Sequence, residues 1–150
     1  PHRSAARAAG GRTILDDCYN ANPSSMRAAL SALAAASGSG RRFAILGDML
    51  ELGAGAEAAH RALGHAAGLE LSGVAAVGAF AQTVVDEARS AGLDPARALA
   101  ASSPEAAAAA VAGWTAAGDW ILVKASRGLR LERAVEALQA TLGGDQQTKA

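Results

Sequence analysis

Three observations predict an α/β fold, a Rossmann-like three-layer sandwich with a mostly parallel sheet of about five to six strands and helices on both faces. Short, continuously apolar segments recur along the chain, namely Phe43-Ala44-Ile45-Leu46, Val74-Ala75-Ala76-Val77 and Ile121-Leu122-Val123. Runs of this kind mark strands buried on both faces, the parallel-sheet pattern. Stretches with helix start signals separate them, and strand–helix–strand repetition at this spacing implies βαβ crossovers. The 150 residues suit one domain with a core of ordinary size.

The elements follow in order. Residues 4–9 form a lead-in strand, and Gly10-Gly11 a tight turn into the first central strand, Arg12 to Asp17. Asn22-Pro23 opens a helix, since Asn is a good N-cap and Pro lacks only an N–H that would go unpaired there. Met26, Leu30 and Leu33 share one face of it, and Ser37-Gly38-Ser39-Gly40 ends it. Ala98-Leu99-Ala100 is a weaker strand signal. Ser103-Pro104-Glu105 repeats the helix start with an acid in the first turn. The last helix carries Leu131, Val135, Leu138 and Leu142 on one stripe. Residues 1–11 read as a lead-in strand and linker, 12–142 as the domain, and 143–150 as a polar, flexible tail.

Composition narrows the function. Hydrophobic residues make up 51% and aromatic ones 3%, so the core is built from Leu, Val, Ile and Ala. Lys+Arg equal Asp+Glu at 14 each, which argues against nucleic-acid and anionic-membrane partners, both of which need a basic excess. The single cysteine, Cys18, rules out an internal disulfide and a Cys-rich metal cage and reads as a small packed thiol. No apolar run reaches the roughly 20 residues of a membrane helix. The opening Pro1-His2-Arg3 has no Met and no signal-peptide pattern, which suggests a piece of something longer.

Ligands in open α/β sheets sit beyond the carboxyl ends of the strands. Three polar clusters follow strands here: Asp16-Asp17-Cys18-Tyr19-Asn20-Ala21-Asn22, then Gly47-Asp48-Met49-Leu50-Glu51, then Lys124-Ala125-Ser126-Arg127-Gly128. Lys124 directly after an apolar strand needs a partner for its ammonium. Arg127 with Ser126 suits a phosphate or carboxylate. The middle strands end in Gly78 and Ala100 and contribute little. His60, three residues after Glu57, reads as a surface pairing rather than a metal site, because one His and one Glu cannot fill a shell. Trp114 and Trp120 read as packing. No G-x-x-x-x-G-K-[ST] and no G-x-G-x-x-G opens a helix, so any nucleotide would be met by this domain as a second jaw.

The three clusters, above all Tyr19-Asn20-Ala21-Asn22-Pro23, Leu46-Gly47-Asp48-Met49-Leu50-Glu51-Leu52-Gly53 and Leu122-Val123-Lys124-Ala125-Ser126-Arg127-Gly128, resemble the C-terminal domain of the Mur ligases. The YNANP stretch is similar to the MurF type, UDP-N-acetylmuramoyl-tripeptide–D-alanyl-D-alanine ligase. Ala125 departs from the family's usual Gly and Cys18 from its frequent Ser; a positive φ at Ala125 would cost about 1 kcal/mol.

The resemblance implies a cytoplasmic, three-domain ligase of peptidoglycan synthesis that uses ATP and Mg2+. Its N-terminal domain binds the UDP-sugar peptide, and its central domain carries the phosphate loop and the magnesium ligands. ATP phosphorylates the tripeptide carboxylate, and the amine of D-alanyl-D-alanine attacks the acyl phosphate. By the same resemblance Arg3 reaches the ATP phosphates, and Asp17 and Tyr19 hold ribose and base with Asn20 and Asn22 nearby. Lys124, Ser126 and Arg127 face the amino substrate, with Asp48 on the same rim. The chain alone is then expected to fold without catalysing ligation. Two other readings fit the residues: a receiver-like phospho-acceptor domain, which needs an Asp where Val77-Gly78 stands, and a non-catalytic Rossmann-like interaction module.

Overall fold

The structure, a computed structural model, describes residues 5–143. Arg3 and the tail from residue 144 lie outside them. Six strands form one sheet: β1 (Ala5–Ala9), β2 (Arg12–Asp17), β3 (Arg42–Gly47), β4 (Gly73–Val77), β5 (Ala98–Ala101) and β6 (Trp120–Lys124). Their order is β1-β2-β6-β3-β4-β5, with β1 antiparallel to β2 and every other pair parallel. Five helices accompany them: α1 (Pro23–Ala35), α2 (Ala56–Glu70), α3 (Ala81–Ser90), α4 (Pro104–Trp114) and α5 (Glu132–Leu138), the last extended by a π turn over Gln139–Gly143.

The continuous apolar runs became central strands for the expected reason: every residue of β3 and β4 is buried. Side chains alternate across the sheet, and two cores result. Ala44, Leu46, Val74, Ala76 and Leu122 pack under α1, α2 and α3. Phe43, Ile45, Ala75, Ile121 and Val123 pack under α4 and α5. The faint Ala98–Ala101 signal is a short edge strand on β4. At the other edge Gly10 and Gly11, at φ 56° and 78°, make the two-residue turn joining β1 to β2, a backbone that side chains rarely adopt.

The helix signals also hold. Asn22 accepts from Ser25 N at 2.8 Å, while Ser25 Oγ accepts from Asn22 N at 3.0 Å, closing a capping box ahead of Pro23. Ser103 Oγ accepts from Ala106 N at 3.0 Å ahead of Pro104. Leu131, Val135, Leu138 and Leu142 are all buried. The far end of α1 is held by Arg42, whose guanidinium donates to the carbonyls of Leu33, Ala36, Gly38 and Gly40 and lies over the Trp120 ring.

Two expectations are corrected. His60 is not paired with Glu57 on the surface: Glu57 bonds Arg61 at 3.0 Å, and His60 is fully buried. The end of β4 is not idle, because the backbone after Gly78 binds the Asp48 carboxylate. Among the described residues no helix is long and apolar enough to cross a membrane.

Candidate functional site at the carboxyl edge of the sheet

The strand order puts β6 between β2 and β3, with Asp17 beside Lys124 and Leu46 beside Lys124 in register. The three polar clusters therefore leave adjacent strands at one edge. Lys124 ends β6 almost fully enclosed, and its ammonium donates to Asp17 Oδ2 at 2.8 Å and to Asn20 O at 2.9 Å. The partner demanded of a buried ammonium is thus a carboxylate on the neighbouring strand.

The loop after β3 is fastened at three successive residues. Asp48 is buried, and its two carboxylate oxygens accept from Ala79 N at 2.8 Å and Phe80 N at 3.0 Å. It caps α3, which has no capping side chain of its own, and its charge sits favourably at the helix N-terminus. Gly78 permits the approach: a Cβ there would lie 2.5 Å from the Asp48 carboxyl carbon, and its φ is 118°. Met49 N donates to His60 Nε2 at 3.0 Å. Because Nε2 accepts, Nδ1 carries the proton and donates to Ala56 O at 2.7 Å. The His60 ring stacks on Phe80 with centroids 4.2 Å apart. Leu50 N donates to Ser126 Oγ at 2.9 Å, and Ser126 N donates to Asp48 O at 3.1 Å.

Ser126 also donates to Ala21 O at 3.4 Å, so its hydroxyl joins the loops after β2 and β3. Ala125 is buried without positive φ, and Gly47 makes room for it: a Cβ on Gly47 would meet the Ala125 methyl at 2.6 Å. Cys18 donates to Val123 O at 3.7 Å, and burial, with Asp16 beside it, pushes its thiol far above the ordinary range. That fits a packing role, since only the thiolate is reactive.

The site thus has two tiers. Asp48, Lys124 and Ser126 lie inside, their groups spent on joining the strand ends. Tyr19, Asn20, Asn22 and Arg127 stand outside, exposed, with the Arg127 guanidinium 5.7 Å from the centre of the Tyr19 ring. Asn20 accepts from Ala21 N at 2.9 Å, and Asn22 is occupied as the cap of α1. Sequence reasoning missed His60 because its partners come from residues 49 and 80, which no local spacing reveals.

Comparison with known proteins agrees with this geometry. A ligase named UDP-N-acetylmuramoyl-tripeptide–D-alanyl-D-alanine ligase from Mycobacterium tuberculosis is 36% identical over 87% of this chain, and its Bacillus subtilis counterpart 33% identical over 85%. The chain spans only 29% and 28% of their respective lengths. Among solved structures, MurF ligase from Thermotoga maritima in complex with ADP matches 100% of this chain with 32% of its own, at 31% identity and a TM-score of 0.78. MurF from Acinetobacter baumannii matches 93% at 28% identity with a TM-score of 0.78. Residues 2–127 match the family described as Mur ligase, glutamate ligase domain, so the chain belongs to the Mur ligase family.

Proposed function

We propose that this chain is the C-terminal domain of an ATP-dependent amide ligase that adds D-alanyl-D-alanine to UDP-N-acetylmuramoyl-tripeptide, working in the cytoplasm with N-terminal and central domains of the same enzyme. The observation that carries the reading is the fusion of three strand ends into one rim by Lys124, Ser126 and Asp48, with Tyr19 and Arg127 exposed above it.

The exposed residues suit a nucleotide and a charged dipeptide. Tyr19 offers a ring face to a base, and Asp17, partly exposed beside Lys124, offers a carboxylate to ribose hydroxyls. Arg127 offers a guanidinium to a carboxylate or phosphate. Arg3, outside the described residues, is proposed for the phosphates. ATP supplies the phosphoryl group that activates the tripeptide carboxylate, and the residues here orient reactants and exclude water as the domains close. Magnesium does not fit these residues: among those described, no three His, Cys, Asp or Glu side chains gather where they could hold a metal. Its ligands belong to the central domain.

The test is the full ligase supplied with ATP, magnesium, UDP-N-acetylmuramoyl-tripeptide and D-alanyl-D-alanine. Amide formation is expected, with Arg127→Ala lowering kcat/KM by about tenfold or more, the worth of a charge-assisted hydrogen bond, and Asp17→Ala, which also strands the Lys124 ammonium, lowering it at least as far. Unchanged activity in both variants would leave the domain a structural module.

A further inference from the structure

Resting on the ligase reading above, we infer that Glu51 is the residue that recognises the ammonium group of the incoming amino substrate. Glu51 and Arg130 are the two non-glycine residues with positive φ among those described, at 63° and 53°. They lie in the loops that follow β3 and β6, the two strands whose ends carry Asp48 and Lys124. Arg130 has a local explanation: it closes the short helical turn Arg127–Leu129, and its N–H bonds Arg127 O at 3.3 Å. Glu51 closes no helix. It is held left-handed because the three residues before it are fixed, Asp48 by the start of α3, Met49 by His60 and Leu50 by Ser126. Strain maintained by surrounding structure concentrates where a side chain must be presented in one direction.

The charges at this edge give the second argument. A zwitterionic dipeptide needs a cation for its carboxylate and an anion for its ammonium. Arg127 supplies the cation. Asp17 is paired with Lys124 and, in the reading above, faces the ribose; Asp48 is held by two backbone N–H groups, Asp16 by Arg7 and Glu105 by Arg133. Glu132 opens α5, which packs on the other face of the sheet. Glu51 is exposed and makes no hydrogen bond or ion pair among the described residues. Its loop abuts the one that carries Arg127: the Leu50 side chain lies 3.2 Å from where a Cβ on Gly128 would be. Glu51 and Arg127 thus offer opposite charges from adjoining loops.

The test uses the full ligase and two variants. Glu51→Gln keeps the strained backbone and removes the charge. Glu51→Gly removes both, and relief of the left-handed strain should raise its melting temperature by about 2–4 °C. Both are expected to raise KM for D-alanyl-D-alanine about tenfold or more, with KM for ATP and for the UDP-linked peptide unchanged. Inhibition by D-lactyl-D-alanine, which carries a hydroxyl in place of the amine, should be the same in wild type and Glu51→Gln. A wild-type enzyme that forms no amide defeats the ligase reading itself. An active wild type with KM for the dipeptide within twofold in Glu51→Gln, or with all three KM values raised alike, overturns the assignment of Glu51 alone.

Discussion

Lys124 and Asp17 end neighbouring parallel strands and meet at 2.8 Å, the ammonium side chain 3% and the carboxylate 18% exposed. The asymmetry has a consequence. Removing the carboxylate strands an almost enclosed ammonium, whereas removing the lysine leaves a carboxylate that water can reach. Breaking a buried pair costs about 3–5 kcal/mol. Asp17→Ala is therefore expected near that range and Lys124→Met below it, at about 2 kcal/mol. Urea unfolding of the two variants checks the order, and equal losses would show that exposure does not govern this pair.

His60 bridges Met49 and Ala56 and stacks on Phe80. His60→Leu keeps the bulk but leaves the Met49 N–H unpaired, at about 1–3 kcal/mol. His60→Gln can still accept from Met49 through its carbonyl oxygen and should recover part of that loss. Denaturant midpoints measure both, and a Gln variant as unstable as Leu would assign the effect to the ring stack instead.

The legible parts of this molecule were those whose physics is local. The Asn22 and Ser103 caps, the Gly10-Gly11 turn and the apolar runs each act within a few residues, so spacing exposes them. The convergence of Asp17, Asp48 and Lys124 was legible too, because strand ends in a parallel sheet share one edge. What stayed hidden was long-range. Asp48 caps a helix that begins more than thirty residues downstream in sequence, which is why α3 showed no start signal and why the end of β4 looked empty. His60 could not be assigned for the same reason. Glu51 looked like any surface acid, since a left-handed φ imposed by three preceding anchors leaves no mark in residue type.

Gly47 and Ala125 were chosen together. A methyl on Gly47 would sit 2.6 Å from that of Ala125, so Gly47→Ala overpacks the junction of β3 with the loop after β6, at about 1–3 kcal/mol. Adding Ala125→Gly should return part of the loss, about 1 kcal/mol of coupling in a double-mutant cycle. The recovery is partial because the Leu129 side chain also lies 2.9 Å from the added methyl. A cycle that closes to zero would place the clash elsewhere.

Cys18 ties stability to alkaline pH with a definite sign. Burial raises its thiol, and Asp16 adds to the shift. In the unfolded chain the thiol loses its proton near pH 8.5. Above that pH the unfolded state binds fewer protons than the folded one, so stability falls as pH rises, by up to about 1.4 kcal/mol per unit from this group. Below about pH 8 the contribution is fully present and flat. Cys18→Ala should therefore remove part of the slope between about pH 8.5 and 10. The native thiol should likewise resist iodoacetamide at pH 8.5 and react once urea unfolds the chain, since only the thiolate is nucleophilic. Rapid alkylation of the folded protein would mean that Cys18 is open to solvent and that the β2–β6 junction is looser than its hydrogen bonds imply.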